Sequence, residues 1–178
     1  PWAVSTRPAG VTRLDRVHAR VRSAAVAPPA DIGTHSQDDI GGQGWAMQGR
    51  STTGDPPMTV APDVGKVEGY RPPGGMGVRL DGEVVVGSRV SPNYDSLLVK
   101  LTCKEKNFNA VIQKMYRSLS EFRVRGVKTN IPFLLNVLRA DTFISVQFAT
   151  DFLDPTPSLF ELRGGTDAMT RSLLHLGR

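Results

Sequence analysis

The sequence has little cysteine and no long hydrophobic run. Its single cysteine, Cys103, excludes an internal disulfide and a metal site built from several thiolates. Cys103 lies in an apolar strand pattern, so we expect an inert core thiol. No apolar run approaches the roughly 20 residues of a transmembrane helix, and the N-terminal residues show no signal-peptide core. Neither a membrane nor an oxidising compartment is indicated.

Lysine and arginine are dispersed, although the formal net charge is +5. They form no basic block and are not interleaved with aromatic residues, so the sequence does not favour a nucleic-acid-binding protein. A small anionic ligand would benefit equally from the positive field.

Histidine is also scarce, with three residues in the chain. His35 lies among aspartates in the polar loop 30–44, where side chains are more often solvated than bound to a metal. We therefore predict no metal site. His18 falls on the helical face predicted for Val11–Arg22, and we interpret it as a partly buried helix residue.

Hydrophobic periodicity predicts an α+β fold: a small antiparallel sheet, a barrel-like meander, with packed helices. Leu97–Cys103 is the most apolar strand and the predicted centre of the sheet. The other predicted extended segments are Trp45–Thr53, Gly65–Tyr70, Gly77–Leu80, Glu83–Val90 and Gln147–Leu153.

Helical spacing predicts an amphipathic helix from Phe108, capped by Asn107 or Asn109 and broken at Gly126. Its apolar stripe is Phe108, Val111, Ile112, Met115, Leu119 and Phe122, and the basic residues off the stripe, predicted to be solvated, are Lys114, Arg117 and Arg123. Further helices are predicted at Ile131–Arg139, with Asn130 or Thr129 as the cap, and at Asp141–Ile144.

A glycine turn at Gly74–Gly77 leads into a short strand that carries Arg79, and a second turn, Ser91–Ser96, delivers a tyrosine and an aspartate. A planar five-donor guanidinium on a rigid strand suits bidentate binding of a carboxylate, bicarbonate or phosphate. The alternative is a hairpin with a surface ion pair between Arg79 and Asp81, which is a common and weak interaction.

The strings Gly74–Asp81, Ser91–Lys100 and Glu121–Leu134 resemble the C-terminal subdomain of biotin carboxylase, in the version found in pyruvate carboxylases. The resemblance covers about Trp45 to Phe160.

The resemblance also implies a division of the chain. Residues 1–43 would be a remnant of the ATP-grasp end with a linker, residues 44–160 the subdomain, and residues 161–178 a tail leading to the next domain.

Biotin carboxylases are ATP-grasp ligases in which ATP activates bicarbonate and biotin takes up the carboxyl group. The resemblance implies a fragment of the biotin carboxylase part of pyruvate carboxylase, which makes oxaloacetate from pyruvate in gluconeogenesis. Biotin would sit on a carrier domain outside this chain, and ATP would be used with Mg²⁺ whose ligands this chain lacks. The implied partners are the remainder of the carboxylase, the carrier domain and further copies of the subunit, in the cytoplasm or the mitochondrial matrix.

The same resemblance implies roles for four residues. Arg79 would be catalytic, reaching the site of bicarbonate, phosphate and biotin. Tyr94 and Asp95 would support the substrate pocket beneath it, and Phe152 would lie at the adenine edge of the nucleotide.

Two alternatives stay open. The chain could be a non-catalytic assembly or degenerate module that binds another carboxylase subunit, since this subdomain contributes to dimer contacts in the family. It could also derive from an acyl-CoA carboxylase subunit, although the strings at 122–130 and 154–160 favour the pyruvate version.

Residues 1–10 contain no glutamate or histidine, whereas the family's catalytic strand supplies both. We therefore expect the purified 178-residue chain to show no bicarbonate-dependent ATP cleavage. The measurement is phosphate release with free biotin, ATP and Mg²⁺, and turnover above the protein-free rate would contradict the expectation.

Overall fold

The structure is a computed structural model of the chain. It describes residues 16–26, 28–32, 36, 44–54, 63–82, 84–91, 93, 95–149, 151–153 and 155–161. The described part mixes helices with small antiparallel sheets, which confirms the α+β class, and the sheets do not close into a barrel.

The described residues form short strands and helices around one long central strand. The strands are β1 (Trp45–Thr52), β2 (Gly65–Lys66), β3 (Gly69–Arg71), β4 (Val78–Asp81), β5 (Arg89–Val90), β6 (Leu97–Glu105) and β7 (Arg123–Arg125). The helices are α1 (Arg16–Ala24), α2 (Phe108–Glu121), α3 (Ile131–Arg139) and α4 (Asp141–Ile144), with 3₁₀ turns at Pro29–Ile32 and Pro157–Phe160.

Strand β6 is the centre of the main sheet, as the sequence predicts. It pairs antiparallel with β1 on one side and with β4 on the other, while β2 pairs with β5 and β3 pairs with β7. Apolar residues alternate along β6, and Leu101 and Cys103 are fully buried. This alternation gives the sheet one face toward the helices and one face toward solvent.

Helix α2 covers the buried face of the sheet. Its whole predicted stripe is buried, and burial of each such side chain contributes about 1.5–3 kcal/mol relative to exposure. Asn107 caps the helix by accepting a hydrogen bond from the Ala110 N–H at 2.8 Å. The predicted helix and one of its two candidate caps are confirmed.

Asn130 precedes α3 but makes no side-chain cap. Its amide instead bonds the backbone of β1: it accepts from the Thr52 N–H at 2.9 Å and donates to the Arg50 carbonyl at 3.0 Å. Asn130 is buried, so these bonds satisfy a polar group that would otherwise be costly to desolvate. They join the start of α3 to the end of β1.

Two predicted segments differ from the structure because distant partners decide local pairing. Gly65–Tyr70 splits into β2 and β3, since the Val67 N–H donates to Ser88 and the Glu68 N–H donates to Arg125. Within the predicted strand Glu83–Val90, Arg89 and Val90 form β5, whereas residues 85–88 form a turn and that part of the prediction is wrong; Glu83 lies outside the described residues.

The predicted ends of two other elements are also wrong. Helix α2 stops at Glu121, and β7 lies between it and Gly126, because residues 123–125 pair with β3. Residues 151–153 form a turn, closed by the Phe152 N–H on the Ala149 carbonyl, where the sequence predicts an extended segment.

The N-terminal helix begins at Arg16, and residues 11–15 of the predicted helix lie outside the described part. His18 is exposed in α1, so its prediction as a partly buried residue is wrong. No helix in the described ranges has the length and apolar character to cross a membrane.

The end of α4 contains a valine in a left-handed conformation. Val146 has φ of 61° and is 54% exposed. Its N–H donates to the Phe143 carbonyl, and the next N–H, of Gln147, donates to Thr142. Helices often end this way, but with glycine at the left-handed position.

We predict that Val146→Gly stabilises the protein by about 1 kcal/mol, because a Cβ in this conformation costs roughly 1–2 kcal/mol and a branched one is unfavourable. Chemical denaturation measures the change. Gln147→Gly is the matched control, because it adds the same backbone freedom at the adjacent exposed position without relieving strain. Equal effects of the two glycines would contradict the prediction.

Candidate functional site

The solvent-facing side of the main sheet carries a row of polar and charged residues, which we call the outer face. Direct cross-strand partners place them in register, because residues opposite each other point to the same side. The outer face comprises Gln48, Arg50, Arg79, Asp81, Lys100 and Thr102.

Arg79 is held side-on by Asp81 on the same strand. Its Nε donates to both carboxylate oxygens at 3.0 Å, and its Nη2 donates to Oδ1 at 2.8 Å. The hydrogen bond and the negative charge of Asp81 raise the pKa of Arg79 above its usual value, so the guanidinium stays charged. The side chain is 76% exposed.

A guanidinium has five N–H donors. Asp81 takes the Nε–H and one Nη2–H of Arg79, so the two Nη1–H groups and the other Nη2–H remain directed away from this contact. The ion pair expected from the sequence is therefore present, and it leaves the terminal edge of Arg79 able to bind an oxyanion.

Asp95 joins the turn before β6 to β1. It accepts from Arg50 Nη2 at 2.8 Å and from the Leu97 N–H at 3.1 Å. Arg50 in turn lies directly opposite Lys100 in the sheet. Asp95 thus reaches the same charged row as Arg79, and its supporting role stays a prediction. Tyr94 lies outside the described residues.

The glycine turn before β4 approaches β6 closely. Gly77 has φ of +74°, and a Cβ there would lie 2.6 Å from the Lys104 carbonyl oxygen, so no larger residue fits without movement. The Lys104 N–H donates to the Gly77 carbonyl at 2.8 Å. These contacts determine where the strand that carries Arg79 begins.

Lys114 of α2 holds the same turn from the helix side. Its ammonium donates to the Met76 carbonyl at 2.8 Å and forms an ion pair with Glu105 of β6. The hydrogen bond from Lys114 lowers the pKa of Glu105. The prediction that Lys114 is solvated is wrong, since its side chain is only 19% exposed.

An open cleft of about 500 Å³ lies at this end of the sheet. Residues of the glycine turn, β6 and α2 meet there, so basic groups dominate its polar lining. The cleft is lined by Gly44, Met76, Gly77, Lys104, Glu105, Lys106 and Lys114.

Phe152 does not lie on the outer face. Its ring belongs to an aromatic cluster with Phe143 and Phe148, at centroid distances of 6.4 and 6.1 Å. Phe143 lines a small apolar cavity together with Met47, whose side chain points to the helix side of β1. The sheet therefore lies between Phe152 and Arg79, and the nucleotide-edge role of Phe152 stays a prediction.

Cys103 is confirmed as a buried core residue. Its thiol faces the Ser118 hydroxyl at 3.8 Å, and burial raises the pKa of the thiol. A neutral, enclosed thiol is a poor nucleophile.

Comparison with known proteins decides the family. The family described as "Biotin carboxylase C-terminal domain" matches residues 48–155. The chain belongs to this family. In this biotin carboxylase C-terminal domain, the matched range contains the whole outer face and the contacts of the glycine turn with Lys104 and Lys114.

Similar full-length proteins are much longer than this chain. Pyruvate carboxylase of Schizosaccharomyces pombe is 48% identical over 168 residues, which cover 94% of the chain and 14% of that protein. A complete multifunctional pyruvate carboxylase from Rhizobium etli superposes with a TM-score of 0.79 at 37% identity, covering 95% of the chain and 16% of that protein.

A solved structure with ligands is also similar. The biotin carboxylase domain dimer of Hydrogenobacter thermophilus 2-oxoglutarate carboxylase, in complex with MgADP, ADP and bicarbonate, has a TM-score of 0.73 and 31% identity. The match covers 86% of the chain and 33% of that domain.

Sequence reasoning did not find Arg50, Lys100 or Lys114 as parts of this region. For Lys100 a signal existed, because it alternates with the buried Val99 and Leu101 and so faces solvent. For Lys114 the sequence holds no such signal, since the Met76 carbonyl that it binds is 38 residues away.

We predict that Glu105→Gln lowers the melting temperature at pH 7 and that this loss shrinks on acidification. Because the folded pKa of Glu105 is depressed, its stabilisation is present above the ordinary glutamate pKa of about 4.3 and is lost as pH falls through the lower folded value. Calorimetry from pH 7 to pH 3 measures the difference between the two proteins.

Glu121→Gln serves as the control, since the Glu121–Arg117 ion pair is more exposed than the Glu105–Lys114 pair. We expect it to change the melting temperature little at any pH. A Glu105→Gln difference that stays constant down to pH 3 would contradict the prediction.

Proposed function

We propose that this domain forms part of the biotin carboxylase unit of a pyruvate carboxylase, a biotin-dependent, ATP-using ligase. The observation that carries the proposal is Arg79: its guanidinium is oriented by Asp81, stays charged, and presents free donors on an exposed sheet face. Family membership and the 48% identity to a pyruvate carboxylase support the same assignment.

Arg79 would bind the anionic oxygens of bicarbonate or of the transferring phosphate. Two parallel N–H groups match the two oxygens of such an anion, which gives orientation as well as attraction. The same charge would stabilise negative charge that develops on the ureido oxygen of biotin. Asp81 keeps the guanidinium plane in place, so little reorganisation is needed when the anion arrives.

The described residues do not suit a resident Mg²⁺ ion. They contain no group of three or more histidine, cysteine, aspartate or glutamate side chains that could hold a metal. Mg²⁺ requires carboxylate oxygens in near-octahedral geometry. We assign the magnesium ligands, and with them the phosphates of ATP, to other parts of the carboxylase.

Asp95 would act as a supporting residue. By binding Arg50 and the Leu97 N–H together, it holds the turn that precedes β6 against β1. Tyr94 would share the supporting role that the family resemblance implies. Phe152 would contribute to the nucleotide edge only through the aromatic cluster with Phe143 and Phe148.

The implied partners follow from the partial coverage of the relatives. The domain would work with the remainder of the carboxylase and with the domain that carries biotin, in an assembly containing further copies of the subunit. The Rhizobium etli protein is multifunctional, and the Hydrogenobacter thermophilus domain is a dimer. Its compartment would be the cytoplasm or the mitochondrial matrix, where its single thiol needs no oxidising environment.

We predict that Arg79→Ala in a carboxylase assembled with this chain lowers kcat/KM by at least about 100-fold, because loss of one charge-stabilising donor typically costs about 2–4 kcal/mol. Oxaloacetate formation from pyruvate measures the effect. Arg89→Ala is the matched control, because Arg89 is an exposed arginine in the separate β2–β5 pair, and it should retain activity.

The alternative, a purely structural module, gives a different pattern. Arg79→Ala would then leave carboxylation nearly intact, whereas truncation of the buried Met115 or Leu119 would reduce it by destabilising the domain. That pattern would overturn the catalytic assignment.

A further inference from the structure

Lys100 lies at the centre of the outer face. It is directly opposite Arg50 of β1 on one side and Asp81 of β4 on the other. Directly opposite side chains in an antiparallel sheet have Cβ atoms about 4.5–5.5 Å apart, and diagonal neighbours about 7–8 Å. Arg79 is a diagonal neighbour of Lys100, so one small anion can contact both cations.

The carboxylates around Lys100 are already occupied by arginines. Asp81 binds Arg79 through Nε and Nη2, and Asp95 binds Arg50 through Nη2. Neither carboxylate forms an ion pair with Lys100, and within the described ranges its ammonium has no hydrogen-bond partner. The face thus pairs both arginines and leaves one lysine with its charge unmatched.

The position of Lys100 differs from that of an ordinary surface lysine. Lys100 is half-buried between two neighbouring strands. Lys104, four residues further along β6 and on the same face, is exposed. Arg50, Arg79 and Lys100 place three positive charges in this row, against the two carboxylates of Asp81 and Asp95, so an anion that binds there would balance the excess charge. The geometry therefore points to a ligand.

We propose that Lys100 is a second anion-binding residue, which contacts the same bicarbonate or phosphate oxygens as Arg79. This inference rests on the proposed carboxylase function and extends it. Arg79 supplies a planar, two-donor contact, while Lys100 supplies a compact charge that can approach from the neighbouring strand. Arg50, directly opposite Lys100 on β1, is paired with Asp95 through Nη2.

The test uses Lys100→Met, which removes the charge and keeps an apolar stem of similar length in the sheet. In a carboxylase assembled with this chain, we expect the KM for bicarbonate to rise about tenfold and inhibition by inorganic phosphate to weaken by a similar factor. Lys100→Arg should restore most of both. Lys104→Met, on the same strand and face, should change either constant less than twofold.

A readout independent of turnover is the melting temperature of the 178-residue chain with and without inorganic phosphate. A ligand that binds the folded state raises the melting temperature by mass action. The increase should be present in the unaltered chain and in Lys104→Met, and absent in Lys100→Met. Comparison of the two variants without phosphate shows whether Lys100→Met itself still folds.

The outcomes separate the two proposals. If Arg79→Ala abolishes carboxylation while Lys100→Met leaves the bicarbonate KM and phosphate inhibition unchanged, the role of Lys100 is wrong and the proposed function stands. If Lys100→Met and Lys104→Met weaken anion binding equally, the cause is the loss of positive charge in general rather than of a specific contact. The role of Lys100 is then also overturned. If Arg79→Ala also leaves carboxylation intact, the proposed function itself falls.

Discussion

The register of β6 against its two neighbours is the constraint on which the rest of the structure depends. A shift of one residue would turn every side chain of a strand to the opposite face. With the observed pairing, Leu101 and Cys103 enter the core, and Lys100 and Thr102 face solvent beside Arg79. The hydrophobic face determines this register, so the stability of the core and the position of the charged row have the same physical origin.

Contacts from the helices then hold the two ends of this sheet. Lys114 reaches from α2 to the glycine turn, and Asn130 reaches from the start of α3 to the backbone of β1. Both side chains bond backbone groups, which restrains strand position without occupying the outer face. The charged row is therefore presented on a scaffold whose strands are held from the opposite side.

The outer face combines attraction for an anion with internal pairing. Two arginine–aspartate pairs orient their guanidinium groups, and exposed pairs of this kind add little to stability. The two pairs matter here for geometry, because they orient the N–H donors of the arginines and leave Lys100 without a carboxylate partner. Under the proposed function, the outer face would contribute positive groups to an anion-binding site.

Local sequence determined much of the described structure. The apolar stripe of α2 and the alternation in β6 follow from periodicity, because side chains three or four apart in a helix, or two apart in a strand, share a face. The Arg79–Asp81 pair was also readable, since both residues occupy one strand two positions apart. The glycine-turn and tyrosine–aspartate strings carried the resemblance to the family.

Only the tertiary structure decided which distant groups meet. Asp95 binds an arginine 45 residues away. Lys114 binds the Met76 carbonyl, 38 residues away, and no local sequence pattern connects the two residues. The split of Gly65–Tyr70 and the strand Arg123–Arg125 have the same origin, because short strands are stabilised by their partners rather than by their own propensity. Phe152 lies behind the sheet for a similar reason: its aromatic neighbours, not its sequence position, determine where its ring is buried.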